Sequence, residues 1–200
     1  LIKQIKPDVP LASHTTFEIG GPAPWLLEVS DEDKLMQVWQ AAAKSGVEAL
    51  VLGEGSNVLV DDTGFPGLVI LNRTLSLAVD RLSDGRYLLR CGSGLLLRDL
   101  VKRTVTFGMA GLESLSGIPG TVGGAIYGNA GAYGRDIGST VRQALVVTAP
   151  GKKPAWLSRA ELDFSYRNSR IKTQGGLIVA VELILNPGKA VRLATRAQEI

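Results

Sequence analysis

The segment GIPGTVGGAIYGNAGAYG, from Gly117 to Gly134, is the most informative part of this chain. It holds seven glycines in eighteen residues and no charged side chain. Glycine loses more conformational entropy on folding than any other residue, so a run this dense predicts positive φ angles or a close approach of the main chain to a bulky group. We therefore expect a site built from backbone, with a cofactor as the bulky group.

Three other interpretations of the run are weighed against that one. A flexible linker would be polar, but Ile118 and Ile126 interleave with the glycines and favour burial. A helix-packing face in a membrane is disfavoured by Pro119, by Asn129 and by the shortness of the apolar stretch. A set of tight turns with a purely structural purpose stays open beside the cradling of a phosphate or another ligand.

Composition indicates an ordinary globular chain. Its 200 residues are 45% hydrophobic and 20% charged, enough for one core or two small ones. There is no apolar run long enough to span a membrane and no secretion signal, so a cytoplasmic location without membrane contact is expected. The net charge of +3 is scattered, which suits an anionic small ligand and predicts no binding of nucleic acid.

The single cysteine and the single histidine narrow the chemistry. Cys91 cannot form an internal disulfide, and its place in a strand-like segment predicts a buried structural thiol in a reducing compartment. His14 alone cannot build a zinc cluster, and no metal site is expected.

The first part of the chain is expected to form a compact β-α-β unit. Its predicted elements are a strand at Trp25–Val29, a helix over Asp31–Ser45 and a strand at Ala49–Leu52. Ser30 is expected to cap the start of the helix, and Gly46 suits its C-terminal end.

Further elements follow the same periodicity rules. Strands are expected at Val58–Val60, Leu68–Leu71, Ala144–Ala149 and Leu177–Leu185, and a hairpin is expected between Leu75 and Cys91. A helix is expected over Leu95–Phe107, with Gly108 as its cap. A polar segment ends at Lys172. A last helix is expected to open at Pro187 and to be still running at Ile200 without a stop signal. That end, and Leu1 in place of methionine, predict a portion of a longer protein.

A second glycine motif, Gly53-Glu54-Gly55-Ser56-Asn57, follows the strand that ends at Leu52. Successive amides in such a turn can form an anion-binding nest, and Ser56 and Asn57 add side-chain donors for a pyrophosphate. It leads into an apolar strand instead of a helix, and Gly92-Ser93-Gly94 lacks the third glycine, so neither fits a Rossmann fingerprint. No Walker lysine follows, which disfavours an ATPase.

Four motifs in order give the chain a resemblance to a known family. They are TTFEIGGPA at Thr15–Ala23, LGEGSNVLV at Leu52–Val60, SGIPGTVGGAIYGNAGAYG at Ser116–Gly134 and SYRNSRIK at Ser165–Lys172. Together they resemble the bacterial UDP-N-acetylenolpyruvoylglucosamine reductase (UDP-N-acetylmuramate dehydrogenase, MurB) family. The resemblance implies an α+β fold of the vanillyl-alcohol-oxidase (PCMH) FAD-binding type. Residues 1–72 and 73–186 would be its two subdomains, and residues 187–200 would begin a C-terminal substrate domain that is otherwise missing.

The resemblance also assigns a cofactor site. FAD, bound non-covalently, would have its pyrophosphate cradled by both glycine-rich loops, with Asn129 and nearby amides directed toward the isoalloxazine. The implied cofactor-binding residues are Gly53, Glu54, Gly55, Ser56, Asn57, Gly117, Ile118, Pro119, Gly120, Thr121, Gly123, Gly124, Asn129 and Gly131. Covalent attachment is not expected, because His14 and Cys91 lie in neither motif.

The implied activity is the reduction of a UDP-sugar enolpyruvyl ether in peptidoglycan precursor synthesis, with NADPH as reductant. Arg167 matches the catalytic arginine of the family, and a guanidinium suits a carboxylate that gains negative charge. Without the motif it would be interpreted as a surface arginine. Tyr166, Arg170 and Lys172 either contact the substrate or support the fold. The proton-donating serine and the assisting glutamate of the family are expected beyond Ile200, in the C-terminal domain that would complete the site.

Two rival functions remain from the sequence. One is a non-catalytic flavin-binding module or fragment. The other is an oxidase of the same flavin fold that acts on an alcohol or a sugar. A Ser-Gly segment and a later glutamate downstream of Ile200 would separate the reductase from both.

Overall fold

The computed structural model describes residues 5–200 and combines two main β-sheets with five α-helices. The strands are β1 (Lys6–Pro10), β2 (Pro22–Val29), β3 (Ala49–Leu52), β4 (Leu68–Asn72), β5 (Leu77–Arg81), β6 (Tyr87–Gly92), β7 (Met109–Ala110), β8 (Gly131–Ala132), β9 (Arg135–Asp136), β10 (Val141–Val147), β11 (Ala155–Ser158) and β12 (Leu177–Pro187). The helices are α1 (Glu32–Lys44), α2 (Leu97–Thr106), α3 (Val122–Tyr127), α4 (Arg170–Gln174) and α5 (Ala190–Gln198).

The first sheet has the order β1-β2-β4-β3, in which β4 is parallel to both of its neighbours and β1 is antiparallel to β2. Every residue of β4 is buried, so this strand is a continuous apolar run that ends in Asn72. The chain leaves the carboxyl end of β3 at Gly53, directly into the Gly-Glu-Gly-Ser-Asn motif. Ligands commonly bind outside the carboxyl ends of parallel strands, so the fold gives this loop a favourable place.

The second sheet is antiparallel, with the order β11-β10-β12-β6-β5, and β7 pairs with the end of β12. The long strand β12 lies at its centre and pairs Val181 with Cys91 of β6 and with Ala144 of β10. Helix α3, which lies within the glycine run, packs against β12. The central strand therefore supports the element that the sequence singled out.

Three apolar clusters form the core. The largest lies on the second sheet and takes in α2, α3 and Leu193 of α5. Another packs Leu35 of α1 against residues of both sheets, among them Ile70 and Val179. The smallest covers the opposite face of the first sheet. Within residues 5–200, no helix combines the length and the apolar character needed to cross a membrane.

Helix α1 confirms the β-α-β prediction, but its cap was assigned one residue too early. Asp31, and not Ser30, is the N-cap, and its carboxylate accepts a 2.8 Å hydrogen bond from the Lys34 amide. A carboxylate at this end also interacts favourably with the helix dipole. Gly46 has φ +67°, as its predicted role at the C-terminal end requires.

Several predicted boundaries were wrong, each for a tertiary reason. Val58–Val60 is not a strand, because it pairs with no other segment among residues 5–200, although Val60 is buried in the smallest cluster. Helix α2 begins at Leu97, two residues late, because the Leu95 carbonyl accepts from the Val122 amide. Pro187 ends β12 instead of opening a helix, and α5 runs only over Ala190–Gln198. Strands β1, β7, β8, β9 and β11 and helices α3 and α4 were not predicted.

The predicted division at residue 72 falls between β4 and β5, the last strand of one sheet and the first of the other in chain order. The cluster around α1 nevertheless draws side chains from both sheets. The assignment of residues 1–72 and 73–186 to two subdomains, and of 187–200 to a further domain, stays a prediction.

Candidate functional site

The two glycine-rich motifs, which are distant in sequence, lie against each other. A Cβ atom built on Gly53 would stand 2.6 Å from Oγ1 of Thr121, closer than packing allows. One built on Gly120 would stand 2.9 Å from Oγ of Ser56. The structure thus brings the residues predicted for one cofactor into one place.

The loop at Gly53–Asn57 presents unpaired main-chain amides. Within residues 5–200, the amides of Glu54 to Asn57 donate to no protein acceptor, and the side chains of Ser56 and Asn57 have no hydrogen-bond partner. Gly55 has φ +69°, and a side chain there would collide with the carbonyl of His14. Successive unpaired amides of this kind can form an anion-binding concavity, so the structure leaves the donors of the predicted nest available and the nest itself stays a prediction.

Neighbouring residues hold this loop in place. The Gly55 carbonyl accepts a 3.1 Å hydrogen bond from the Thr16 amide, which connects the Thr15–Ala23 motif to this loop. Arg73 donates from Nη1 to the Gly53 carbonyl at 2.7 Å. Sequence reasoning missed Arg73, since a single arginine after a strand carries no distinctive signal.

The Glu54 carboxylate connects the two motifs. It forms an ion pair with Arg98 and accepts a 2.8 Å hydrogen bond from the Gly120 amide. A carboxylate would repel a pyrophosphate, so the side chain of Glu54 differs from the predicted cofactor contact and acts as a bridge between loops. Its main-chain amide remains part of the unpaired series.

The amides of the second motif are mostly used within the protein. Gly123 donates to the Ser93 carbonyl at 2.8 Å, and Gly124 donates to Oγ1 of Thr121, the N-cap of α3. In the part of the chain that the structure describes, the amides of Gly117 and Thr121 have no acceptor. Fewer amides of the second motif are therefore available to a cofactor than the full glycine run suggests.

Two adjacent glycines of α3 differ in their surroundings. A Cβ on Gly123 would lie 2.8 Å from Cβ of Ser93, so packing alone requires glycine there. A Cβ on Gly124 would meet nothing closer than Oγ1 of Thr121 at 3.6 Å. Glycine in a helix costs about 1 kcal/mol relative to alanine, and no protein contact explains this cost at Gly124.

The other predicted residues of the run have structural surroundings. The Ile118 side chain packs against the largest cluster, and Pro119 is exposed. Gly131 belongs to the β8–β9 hairpin, where a Cβ would stand 2.5 Å from the carbonyl of Arg135.

Asn129 is almost fully buried, and both of its side-chain polar atoms are bonded to protein. Its Nδ2 donates to the carbonyl of Ser165 at 2.9 Å and lies 3.4 Å from Oδ2 of Asp136. Its Oδ1 accepts from the Gly138 amide at 3.1 Å. These contacts use both N–H donors of the side chain and one lone pair of its oxygen, and its bond toward an isoalloxazine stays a prediction.

Arg167 lies at the tip of an exposed turn with φ +54°. Its guanidinium carbon is 6.0 Å from the centre of the Tyr166 ring, and Tyr166 is 91% exposed. Lys172 donates from Nζ to the Arg167 carbonyl at 2.9 Å. Arg170 instead donates to Gln174 along α4. The turn thus presents an arginine and a tyrosine to the surface, with Lys172 supporting its backbone.

A cleft of about 390 Å³ opens beside the Gly53–Asn57 loop. Its lining includes His14, Glu54, Arg73 and Leu96. Partial burial lowers the pKa of His14 below its usual value, and the nearby charge of Arg73 acts in the same direction. The cleft therefore favours a neutral imidazole. Cys91, by contrast, is buried in the second sheet, and burial raises its pKa to about 12, as expected for a structural thiol.

These features fit a flavin dinucleotide. The unpaired amides match a pyrophosphate, and the exposed Gly124 carries no side chain that would keep a ring system away from the backbone of α3. The sequence pattern of the "FAD binding domain" family matches residues 23–153. The chain belongs to this family. The predicted FAD-binding fold is confirmed by this match and by the structural relatives below, and the match also confirms FAD as the cofactor.

Relatives of known name agree with the resemblance seen in the four motifs. The UDP-N-acetylenolpyruvoylglucosamine reductase of Carboxydothermus hydrogenoformans is 37% identical over 95% of this chain and 62% of its own length. That of Solibacter usitatus is 38% identical over 98% of this chain and 61% of its own length. The chain thus spans about three fifths of these reductases, and its resemblance to their family is confirmed.

Solved structures extend the comparison. The chain superimposes on the UDP-N-acetylenolpyruvylglucosamine reductase (MurB) of Thermus caldophilus with a TM-score of 0.81 and 31% identity, over 98% of this chain and 67% of that one. An alkyldihydroxyacetonephosphate synthase, at 20% identity, has a TM-score of 0.67 over 94% of this chain and 41% of its own. A solvent-stable cholesterol oxidase, at 17% identity, has a TM-score of 0.65 over 92% of this chain and 37% of its own. The last two share the fold alone.

Proposed function

We propose that this chain is the FAD-binding part of an NADPH-dependent UDP-N-acetylenolpyruvoylglucosamine reductase and carries one of its catalytic residues, Arg167. One observation carries the proposal: the amide-rich loop at Gly53–Asn57, helix α3 and the Arg167 turn are joined by direct contacts. The likeness to the named reductases supports the choice of substrate.

The residues that would hold FAD are those with unused groups or open space. The amides of Glu54 to Asn57 would bind the pyrophosphate, and Gly117 and Gly124 would let the backbone lie close to the ring system. When bound, FAD supplies the two-electron carrier that takes a hydride from NADPH and passes it to the enolpyruvyl group. Neither His14 nor Cys91 lies in the glycine motifs, so we propose a non-covalent site.

Arg167 would act on the carboxylate of the substrate. Addition of a hydride to the enolpyruvyl group moves negative charge onto that carboxylate, and a guanidinium binds it through two parallel hydrogen bonds. The exposed side chains of Arg167 and Tyr166 can reach a substrate at the surface of the turn, whereas Arg170 is bonded to Gln174. We therefore rank Tyr166 above Arg170 as a substrate contact and give Lys172 a supporting role.

Completion of the reaction needs a proton at the carbon next to the one that receives the hydride. We propose that a serine donates it, assisted by a glutamate, and that both belong to a C-terminal domain beyond these 200 residues. The enzyme would work in the cytoplasm, in the synthesis of peptidoglycan precursors, with NADPH and a UDP-sugar as its small-molecule partners and without nucleic acid or a membrane.

The direct test is a pair of half-reactions measured without oxygen on the full-length protein. NADPH should reduce its bound flavin, and UDP-N-acetylenolpyruvoylglucosamine should reoxidise it with formation of the lactyl ether. Acid precipitation of the protein should leave the yellow flavin in the supernatant. Bound flavin that is never reoxidised by this substrate would favour the non-catalytic module, and reduction by an alcohol or a sugar would favour an oxidase.

A further inference from the structure

The Arg167 turn is fastened to the end of α3 on both of its sides. Two residues before the arginine, the Ser165 carbonyl accepts the 2.9 Å hydrogen bond from Asn129. Two residues after it, Oγ of Ser169 donates to the carbonyl of Tyr127 at 2.8 Å. Tyr127 is the last residue of α3, and Asn129 follows it closely. The position of the turn is therefore set by the segment that ends the glycine helix.

The two fastening points are buried while the tip is exposed. Ser169 is 0% exposed and Asn129 is 4% exposed, so water cannot replace the hydrogen bonds that they make. Between them the turn closes on itself, with mutual hydrogen bonds of 3.1 and 3.2 Å between Ser165 and Asn168. A rigid base thus carries a long, flexible arginine side chain.

We infer that Asn129 and Ser169 are positioning residues that fix the Arg167 guanidinium relative to the flavin beside α3. This inference rests on the proposed function, because it takes Arg167 to act on a substrate next to that flavin. An arginine side chain loses much rotamer entropy when it is ordered. A fixed position of the Arg167 backbone reduces the number of positions that its guanidinium can occupy. Misplacement of a catalytic group by about 1 Å can cost on the order of 100-fold in rate.

The side chains of Asn129 and Ser169 are bonded to protein groups, which separates this role from catalysis or cofactor binding. Both donors and one lone pair of the acceptor of Asn129 are already used, and its φ of +43° suits asparagine or aspartate better than most residues. The hydroxyl of Ser169 also caps α4 by accepting from the Lys172 amide. Both residues act through the turn that they hold.

The test uses Ser169→Ala and Asn129→Asp in the full-length protein. The first removes the donor to Tyr127. The second keeps the size, the positive φ and the acceptor for Gly138, but faces the Ser165 carbonyl with an oxygen. Thr173→Val is the matched control, because the acceptors of the Thr173 hydroxyl among the described residues are the carbonyls of Ser169 and Arg170 on its own segment.

We expect both variants to slow flavin reoxidation by UDP-N-acetylenolpyruvoylglucosamine about 10- to 100-fold, with flavin affinity and reduction by NADPH changed by less than about twofold. The control should match the wild type. The decisive comparison repeats both changes in an Arg167→Ala background. If the two residues act through Arg167, their replacement should have little further effect on the rate of reoxidation there. There the residual slow reoxidation should change by less than about twofold.

If Ser169→Ala and Asn129→Asp slow reoxidation by about the full 10- to 100-fold also in the Arg167→Ala background, the inference is overturned, and the two residues only support the fold. Unchanged reoxidation in the single variants would overturn it as well. A second readout does not depend on the reaction. The Asn168 amide, which is bonded to Ser165, should exchange its hydrogen about tenfold faster in both variants of the 200-residue chain and not in the control. If substrate never reoxidises the wild-type flavin, the proposed function fails. The exchange measurement still tests the turn: unchanged exchange of the Asn168 amide in both variants would show that Asn129 and Ser169 do not fix it.

Discussion

Alanine at Gly124 should separate the stability of the chain from its affinity for FAD. The added Cβ meets only Oγ1 of Thr121, at an ordinary 3.6 Å, and the residue lies inside α3. The change should therefore stabilise the flavin-free chain by up to about 1 kcal/mol, the usual difference between glycine and alanine in a helix. Gly123→Ala is the matched contrast, because its Cβ would stand 2.8 Å from the Ser93 side chain.

The same methyl group should weaken FAD binding. If the open space at Gly124 belongs to the ring system, overfilling it costs about 1–3 kcal/mol, which raises the Kd for FAD about 5- to 150-fold. Urea unfolding of the flavin-free protein gives the first quantity, and titration followed by flavin fluorescence gives the second. Gly123→Ala should instead lose about 1–3 kcal/mol of stability through overpacking. Unchanged FAD affinity in a stable Gly124→Ala protein would show that the space beside Gly124 does not hold the flavin.

Four other predictions concern separate groups. Arg167→Lys in the full-length protein should slow reoxidation of the flavin by substrate about 100- to 1000-fold and spare its reduction by NADPH; equal losses in both half-reactions would mean damage to the flavin site. The 200-residue chain with reduced flavin bound should form no lactyl product in a single turnover, since positioned general-acid catalysis alone contributes about 10²–10⁴-fold; rapid product formation would mean that the proton donor lies within these residues. Cys91, with its pKa raised to about 12 by burial, should resist thiol reagents in the native chain and react in urea, and rapid native labelling would contradict the buried strand. The single His14 resonance should titrate below its usual pKa, so the free energy of unfolding should fall as the pH drops from about 6.5 through the lowered value. Arg73→Gln should raise the pKa of His14, and an unchanged pKa would contradict the influence of Arg73.

The sequence was sufficient for the features that depend on local chemistry. Gly46 and Gly55 have the positive φ angles expected of their motifs, and the β-α-β unit follows from the apolar face of α1. Within residues 5–200, the Gly53–Asn57 turn leaves the amides of Glu54 to Asn57 without a protein acceptor, which the predicted nest requires.

Features that depend on distant partners could not be predicted. An asparagine among glycines has the chemistry of a ligand contact, and only the folded chain reveals Ser165 and Gly138 as its partners. Glu54 has the place of a residue in a phosphate loop, yet its carboxylate pairs with Arg98 of α2, which is distant in sequence. Val58–Val60 has the composition of a strand but no adjacent edge, because strand formation requires a neighbour as well as a propensity.

The central position of β12 constrains how this chain can fold as it is synthesised. Strand β6 pairs with β12, so Cys91 can form its sheet pairing only after Val181, ninety positions later in the chain, has left the ribosome. Until then the β5–β6 hairpin has an open edge, and α3 lacks the strand against which it packs. Assembly of the flavin cradle is thus a late event in biosynthesis, and a nascent chain released before Leu177 would expose an apolar sheet edge to aggregation.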